Sequence, residues 1–345
     1  ATPISYGLNT VAALGDINGD GFDDFATCHV EVDISSNPTR YVIFGKKDLS
    51  SIDLGAIAAG TGGFIINGGL TVLATIASAG DVNGDGLGDI IVGNAPLINA
   101  EMASYVIFGK TNPANVDLNA VIAGTGGFAI TSPSRQDTAW AVSSAGDFNG
   151  DGLSDILIGA TGTAAGNSSD RSIVDGKVFV IFGRTDTAPV RISNITSGTG
   201  GFVISGPTIT HTDINQSNYT GFSISAAGDV NGDGLADIII GATGESSAGG
   251  NPALVPRQTG AGNAYVVFGT NSRSNINLDA VANGTGGFLI RGESINDHAG
   301  YNVNAAGDIN GDGLADLLVG APFADELFGL VYVVYGKTNT QIVDL

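Results

Sequence analysis

The sequence predicts an all-β protein, a β-propeller of four-stranded antiparallel blades, and three observations carry that expectation. The string Gly-Asp-x-Asn-Gly-Asp-Gly-x-x-Asp occurs five times, at Gly15 to Asp24, Gly80 to Asp89, Gly146 to Asp155, Gly228 to Asp237 and Gly307 to Asp316. Each copy is followed by an aromatic-aliphatic run ending in glycine: Tyr41 to Gly45, Tyr105 to Gly109, Phe179 to Gly183, Tyr265 to Gly269 and Tyr332 to Gly336. The segments between these markers are short, rich in Val, Ile, Phe and Tyr and bounded by Gly, Asn or Asp, which is the signature of strands rather than of a helical period.

The third unit shows how the elements follow one another. Strand A is expected at 141–146, B at 155–159 and C at 177–182, while 127–131, the counterpart of the stretch at Gly201, stands for the outer strand D. Successive acidic strings lie 65 to 82 residues apart, a span that suits four short antiparallel strands and is far too long for one rung of a β-solenoid. A third marker, Gly-Thr-Gly-Gly-Phe, opens strand D at Gly60, Gly124, Gly198 and Gly284, and a fifth copy is missing. The chain ends at Ile342-Val-Asp-Leu345, which matches Ile52-Asp-Leu54 and Val116-Asp-Leu118 ahead of the marker in earlier units. The expectation is therefore one domain over 1–345, with units at about 6–67, 68–131, 132–205, 206–291 and 292–345. Five blades are expected, the ring closed by residues 1–5 as the strand that completes the last one; a fragment of a larger ring is the rival.

Composition narrows the function. The chain has 345 residues, 43% of them hydrophobic, so it can bury a large core. Thirty-four acids against thirteen bases leave a net charge of −21, which repels a phosphate backbone and an anionic membrane surface alike and excludes nucleic acid as a partner. No stretch approaches 18 uninterrupted apolar residues, so no membrane insertion is expected. Cys28 is the only cysteine, so stabilisation outside the cell must come from something other than an intrachain disulfide.

The acidic string suggests what that is. In Asp16-Ile-Asn18-Gly-Asp20-Gly-Phe22-Asp-Asp24, side-chain oxygens fall at positions 1, 3, 5 and 9, a glycine at position 6 permits a sharp turn, and position 7 offers a backbone carbonyl. This is the start of the EF-hand pattern, closed by Asp at 9 rather than Glu at 12, and without His or Cys it favours a hard cation, Ca²⁺, over Zn²⁺. The expected ligands are Asp16, Asn18, Asp20, Phe22 and Asp24; Asp81, Asn83, Asp85, Leu87 and Asp89; Asp147, Asn149, Asp151, Leu153 and Asp155; Asp229, Asn231, Asp233, Leu235 and Asp237; and Asp308, Asn310, Asp312, Leu314 and Asp316. A single copy could be an Asx turn without metal, but fifteen Asp side chains in five small turns would repel one another without a cation.

The acidic loop, alternating with Phe-Gly and with Gly-Ala-Pro at Gly320-Ala321-Pro322 or variants such as Gly159-Ala160-Thr161, resembles the FG-GAP repeat. Such repeats build the N-terminal β-propeller of integrin α subunits and similar modules of bacterial surface proteins. The resemblance spans essentially the whole chain. It departs at Ala26-Thr27-Cys28, where the other units have Gly or Gly-Ala after strand B, and in number, since integrin propellers have seven blades.

The resemblance implies an adhesion module, with a protein or glycan ligand; calcium sites of ~10⁻⁴ to 10⁻³ M affinity would stay empty in the cytosol, so an extracellular or cell-surface location is expected. The chain is expected as a monomer or as part of a larger multidomain protein. From length alone, 15 residues separate the Gly ending strand C from the Gly-Thr-Gly-Gly-Phe marker in each of the four units that carry it, whereas the B–C and D–A connections vary. The variable connections lie on the face opposite the acidic loops, so ligand recognition is expected there, on 160–176, 205–220 and 242–262. His29, His211 and His298 sit in no catalytic pattern, so no enzyme is expected. The alternatives are an accessory or catalytic propeller of a polysaccharide- or lipid-acting enzyme and a structural spacer of a large surface protein.

Overall fold

The computed structural model describes residues 11–29, 39–48, 50–68, 75–93, 102–132, 141–161, 176–207, 219–243, 260–294 and 297–345. The first blade consists of β1 (Val11–Gly15), β2 (Asp24–His29), β3 (Thr39–Ile43), the one-turn helix α1 (Leu54–Ala58) and β4 (Gly63–Asn67). The second has β5 (Thr75–Gly80), β6 (Asp89–Gly93), β7 (Met102–Ile107), a two-residue β8 (Val116–Asp117), α2 (Leu118–Ile122) and β9 (Gly127–Ser132). The third has β10 (Ala141–Gly146), β11 (Asp155–Ala160), β12 (Lys177–Ile181), β13 (Val190–Arg191), α3 (Ile192–Thr196) and β14 (Gly201–Ser205). The fourth has β15 (Thr220–Gly228), β16 (Asp237–Ala242), β17 (Asn263–Val267), β18 (Ile276–Asn277), α4 (Leu278–Ala282) and β19 (Gly287–Arg291). The fifth has β20 (Asn302–Gly307), β21 (Asp316–Ala321), α5 (Ala324–Leu327), β22 (Leu330–Val334) and a terminal β23 (Val343–Asp344). The fold is the expected all-β propeller, with five sheets.

Within each blade the strands form an antiparallel meander, with one irregularity where β1, β5, β10, β15 and β20 enter the acidic loop. The extra residue is followed by a glycine with φ between 66° and 76°, a bulge that tightens the turn. The short strands belong to the preceding blade's sheet. β8 pairs in parallel with β4, β13 with β9, β18 with β14 and β23 with β19, so each sheet but the last gains a fifth strand from its neighbour. Asp53, Asp117 and Asn277 cap the one-turn helices by accepting from the amides of Gly55, Asn119 and Asp279.

The four core clusters straddle the junctions between successive blades rather than filling single blades. In the third blade Val178 and Val180 face the fourth blade, while Phe179 and Ile181 face the second, the alternation demanded of a strand buried on both faces. The fifth blade breaks the pattern. Val331 and Val333, which match Val178 and Val180, are 70% and 47% exposed, and β20, β21 and β22 form a sheet of three strands only. Among the described residues no strand pairs with the outer edge of β22. The closing strand expected from residues 1–5 lies outside the described residues.

Candidate metal centre

Each acidic loop joins the first two strands of its blade, and the five share one hydrogen-bond plan. At position 1, Asp16 accepts through Oδ1 from the amides of Gly19 (2.7 Å) and Asp20 (3.2 Å), and through Oδ2 from Gly21 (2.8 Å). At position 3, Asn18 accepts from Asp20 N (2.8 Å) and donates from Nδ2 to Asp20 Oδ2 (3.0 Å). At position 5, Asp20 Oδ1 accepts from Phe22 N (2.9 Å). The same bonds recur around Asp81, Asn83 and Asp85, around Asp229, Asn231 and Asp233, and around Asp308, Asn310 and Asp312. Nested Asx turns thus bring the side chains of positions 1, 3 and 5 into one tight turn.

Position 9 does something the sequence did not reveal. Asp24 is buried and spends both oxygens on backbone amides, Oδ2 on Ile17 of its own loop (3.0 Å) and Oδ1 on Gly45 at the end of the third strand (2.7 Å). Asp89, Asp237 and Asp316 repeat this with Val82 and Gly109, Val230 and Gly269, and Ile309 and Gly336. Asp155 binds Gly183 and reaches Asn149 instead of Phe148. This carboxylate therefore ties the acidic turn to the Phe-Gly end of the third strand. The partner amide lies 20 to 32 residues away, beyond the reach of any local motif.

The electrostatics follow from that burial. Burial pushes the carboxyls of Asp89, Asp155 and Asp237 up to about 7; the backbone amides oppose the shift, and the acids at positions 1 and 5 of the same loop add to it. At Asp16 the desolvation is outweighed by four backbone amides, from Gly21, Gly19, Asp20 and Asn18, and the carboxyl lies below its ordinary value.

As folded, the carboxylates are held by backbone amides, and no group of three or more His, Cys, Asp or Glu stands arranged around a metal position among the described residues. The donor set is nonetheless of hard oxygens only, and each oxygen at positions 1, 3 and 5 that accepts one amide keeps a second lone pair. Those residues fit Ca²⁺ in chemistry, and at position 9 each oxygen of Asp24 likewise accepts one amide and keeps a second lone pair.

Position 7 also has a role the motif did not disclose. A Cβ placed on Gly19, Gly84, Gly150 or Gly232 would come within 2.8 to 3.0 Å of Cδ2 of Leu87, Leu153, Leu235 or Leu314 respectively. The position-7 side chain of one loop therefore lies against position 4 of the loop before it. Two backbone bonds complete this seam. The amide of position 8 donates to the carbonyl of position 1 in the preceding loop (Gly88 to Asp16, Ser154 to Asp81, Ala236 to Asp147, Ala315 to Asp229). The residue after the Phe-Gly glycine donates to the carbonyl of position 2 (Lys110 to Ile17, Arg184 to Val82, Thr270 to Phe148, Lys337 to Val230). Lys110, Arg184 and Lys337 then lie over the rings of Phe64, Phe128 and Phe288. The loops are joints between blades as well as turns within them.

Of the variable connections expected to carry a ligand, 162–175, 208–218 and 244–259 lie outside the described residues. His29 ends β2 opposite Thr39, His211 lies outside the described residues, and His298 is buried, its Nδ1 3.2 Å from the Thr243 carbonyl.

Comparison with known proteins agrees with the architecture. The FG-GAP repeat matches residues 138–170, 220–267 and 299–341. The first two units, which it does not match, have the same strand register and the same loop bonds. Integrin alpha pat-2 of Caenorhabditis elegans is 29% identical over 246 residues, 67% of this chain and 17% of that protein. Integrin alpha-PS2 of Drosophila melanogaster is 29% identical over 195 residues, 56% of this chain and 11% of that protein. Phosphatidylinositol-glycan-specific phospholipase D of Bos taurus is 26% identical over 258 residues, 73% of this chain and 26% of that protein. The matched region is thus about a quarter or less of each relative. With three matched repeats and two integrin α subunits among its relatives, the chain is an FG-GAP repeat β-propeller that resembles the N-terminal domain of integrin α subunits.

Proposed function

We propose that the chain is a calcium-stabilised adhesion module of the extracellular space or cell surface, which binds a protein or glycan ligand on the face opposite its acidic loops. The observation that carries the reading is the fivefold recurrence of one oxygen-rich turn, built from Asx turns and placed at every blade junction, in a chain related to integrin α subunits.

In each loop positions 1, 3, 5 and 9 would hold the ion through side-chain oxygens and position 7 through its carbonyl. Bound calcium would supply positive charge where three carboxylates share one turn, offsetting the repulsion that adds to burial in raising Asp89, Asp155 and Asp237. The chain's own contribution is to hold the turn closed through the position-9 carboxylate. Sites in the ~10⁻⁴ to 10⁻³ M range of extracellular modules fill outside the cell and stay empty at cytosolic calcium.

The test is binding of a glycan array and of extracellular-matrix proteins, in millimolar calcium and in EDTA. Calcium-dependent capture supports the module; no capture in either condition leaves a spacer as the better description. The bovine phospholipase D relative favours one second reading, an accessory propeller in a lipid-acting enzyme. Hydrolysis of phospholipid or glycan by the purified chain would make the propeller catalytic, and calcium-dependent binding to phospholipid without hydrolysis would make it accessory.

A further inference from the structure

Four blades are completed in the same way. The third strand receives a strand opening Gly-Gly-Phe-x-Ile along its outer edge, in the register Val42 with Phe64, Val106 with Phe128, Val180 with Phe202 and Val266 with Phe288. Three features select that sequence. The amide of the Phe-Gly phenylalanine donates to the carbonyl of the first glycine, as Phe268 N does to Gly286 O at 2.9 Å. The second glycine permits close approach: at Gly287, with φ of 151°, a Cβ would come within 2.0 Å of Val266 O. The phenylalanine then meets the Phe-Gly ring, Phe268 and Phe288 standing edge-on with centroids 6.0 Å apart.

The fifth blade presents the receiving half of this joint. Val333 of β22 stands where Val266 does and Tyr335, just after the strand, where Phe268 does, and Tyr335 is 57% exposed. Among the described residues nothing pairs with that edge. A second place on the molecule points to the same partner. Ile52–Asp53 in the first blade matches β8, β13, β18 and β23, each of which pairs with a Gly-Gly-Phe strand of the preceding blade. Lys46 matches Lys110 and Lys337, which lie over the phenylalanine of such a strand. Residues 1–10 contain no phenylalanine and no Gly-Gly pair.

We propose that the outer edge of β22 is an acceptor for a donor strand of the pattern Gly-Gly-Phe-x-Ile, contributed by another FG-GAP repeat segment. Strand addition at an open sheet edge gains affinity from main-chain bonds and specificity from alternate side chains. Here specificity comes from a glycine that no other residue can replace opposite Val333 O and from a phenylalanine that covers Tyr335. The occupant is neither an arbitrary extended peptide nor a second β22.

The test uses the full chain and a labelled peptide copied from its residues 284–291, Gly-Thr-Gly-Gly-Phe-Leu-Ile-Arg, read by fluorescence anisotropy and by hydrogen exchange. The peptide should bind one per chain at β22 and slow exchange of the outward amides of Val331, Val333 and Tyr335. Peptides carrying Gly287→Ala or Phe288→Ala should bind at least tenfold more weakly. A second arm appends residues 279–291 directly after Leu345, which places the donor in its repeat position; this chain should gain the same protection and melt higher, and the Gly287→Ala version of the extension should lose both. Absence of protection in both arms, equal binding of the variant peptides, or outward amides of Val331, Val333 and Tyr335 already protected in the unmodified chain, whether by residues 1–10 or by dimerisation, would overturn the proposal.

Discussion

Ile17 and Ile309 occupy position 2 of the first and last acidic loops, yet the same mutation should have very different effects on them. Ile17 is 1% exposed, packed with Leu14, Ile90 and Ile107 across the junction to the second blade. Truncating a buried isoleucine to alanine costs about 2–5 kcal/mol, the lost transfer energy plus the cavity left behind. Its counterparts Val82, Phe148 and Val230 are buried to the same degree. Ile309 is 55% exposed because no described blade follows the fifth, and an exposed substitution of this kind stays within about 0.5 kcal/mol. Ile17→Ala should therefore lower the urea midpoint markedly and Ile309→Ala hardly at all, with both variants compared in the same calcium concentration. If Ile309→Ala proves as costly as Ile17→Ala, the outer face of the fifth blade is covered in solution and the argument from exposure is wrong.

Three further outcomes are expected. EDTA should lower the melting temperature and calcium restore it, since at tenfold excess over Kd each ion adds about 1.4 kcal/mol, or about 7 kcal/mol over five sites; identical melting curves would remove calcium from the picture, and magnesium should rescue poorly. In EDTA, stability should fall as pH rises from about 4 to about 7. The folded chain holds protons on Asp89, Asp155 and Asp237 up to about pH 7, whereas in the unfolded chain these carboxyls release them near 3.8, so the contribution is full below the lower value and gone above the upper one. A melting temperature that climbs through that window would contradict the burial of position 9. Finally, Gly109→Ala should cost more than Gly86→Ala. A Cβ at Gly109 meets Gly88 O at 2.5 Å and Ile17 O at 2.9 Å, an overlap worth about 1–3 kcal/mol or more. Gly86 faces open space and carries only the strain of its φ of 88°, about 1–2 kcal/mol. Comparing the two urea midpoints decides between backbone collision and backbone conformation as the reason for the Phe-Gly glycine.

The strands were legible because their signals are local. The third unit's inner strand falls at Ala141–Gly146 as expected, and its second and third strands differ by one residue at one end. The recurring Val116-Asp-Leu118 was visible as a repeat but not as structure. Its two-residue strand exists only because Ile66, fifty residues earlier, offers an edge, and the helix that follows is too short to stand on propensity alone. Position 9 illustrates the same limit. An Asp closing an acidic loop reads as a ligand, and only the folded chain brings Gly45 N to it. Position 7 was read for its carbonyl, while the packing of Leu153 on Gly84 depends on how one blade leans on the next.

The seam between blades has a consequence for how such molecules grow. Its acceptors, the carbonyls of positions 1 and 2, and its donors, the amide of position 8 and the residue after the Phe-Gly glycine, are all encoded within one repeat. Every unit therefore carries both the plug and the socket, and the coupling is the same whichever unit comes next. Duplication or loss of one whole unit leaves each remaining junction with its hydrogen bonds intact, whereas an insertion of part of a unit separates plug from socket. What the repeat specifies is thus the junction, not the number of junctions.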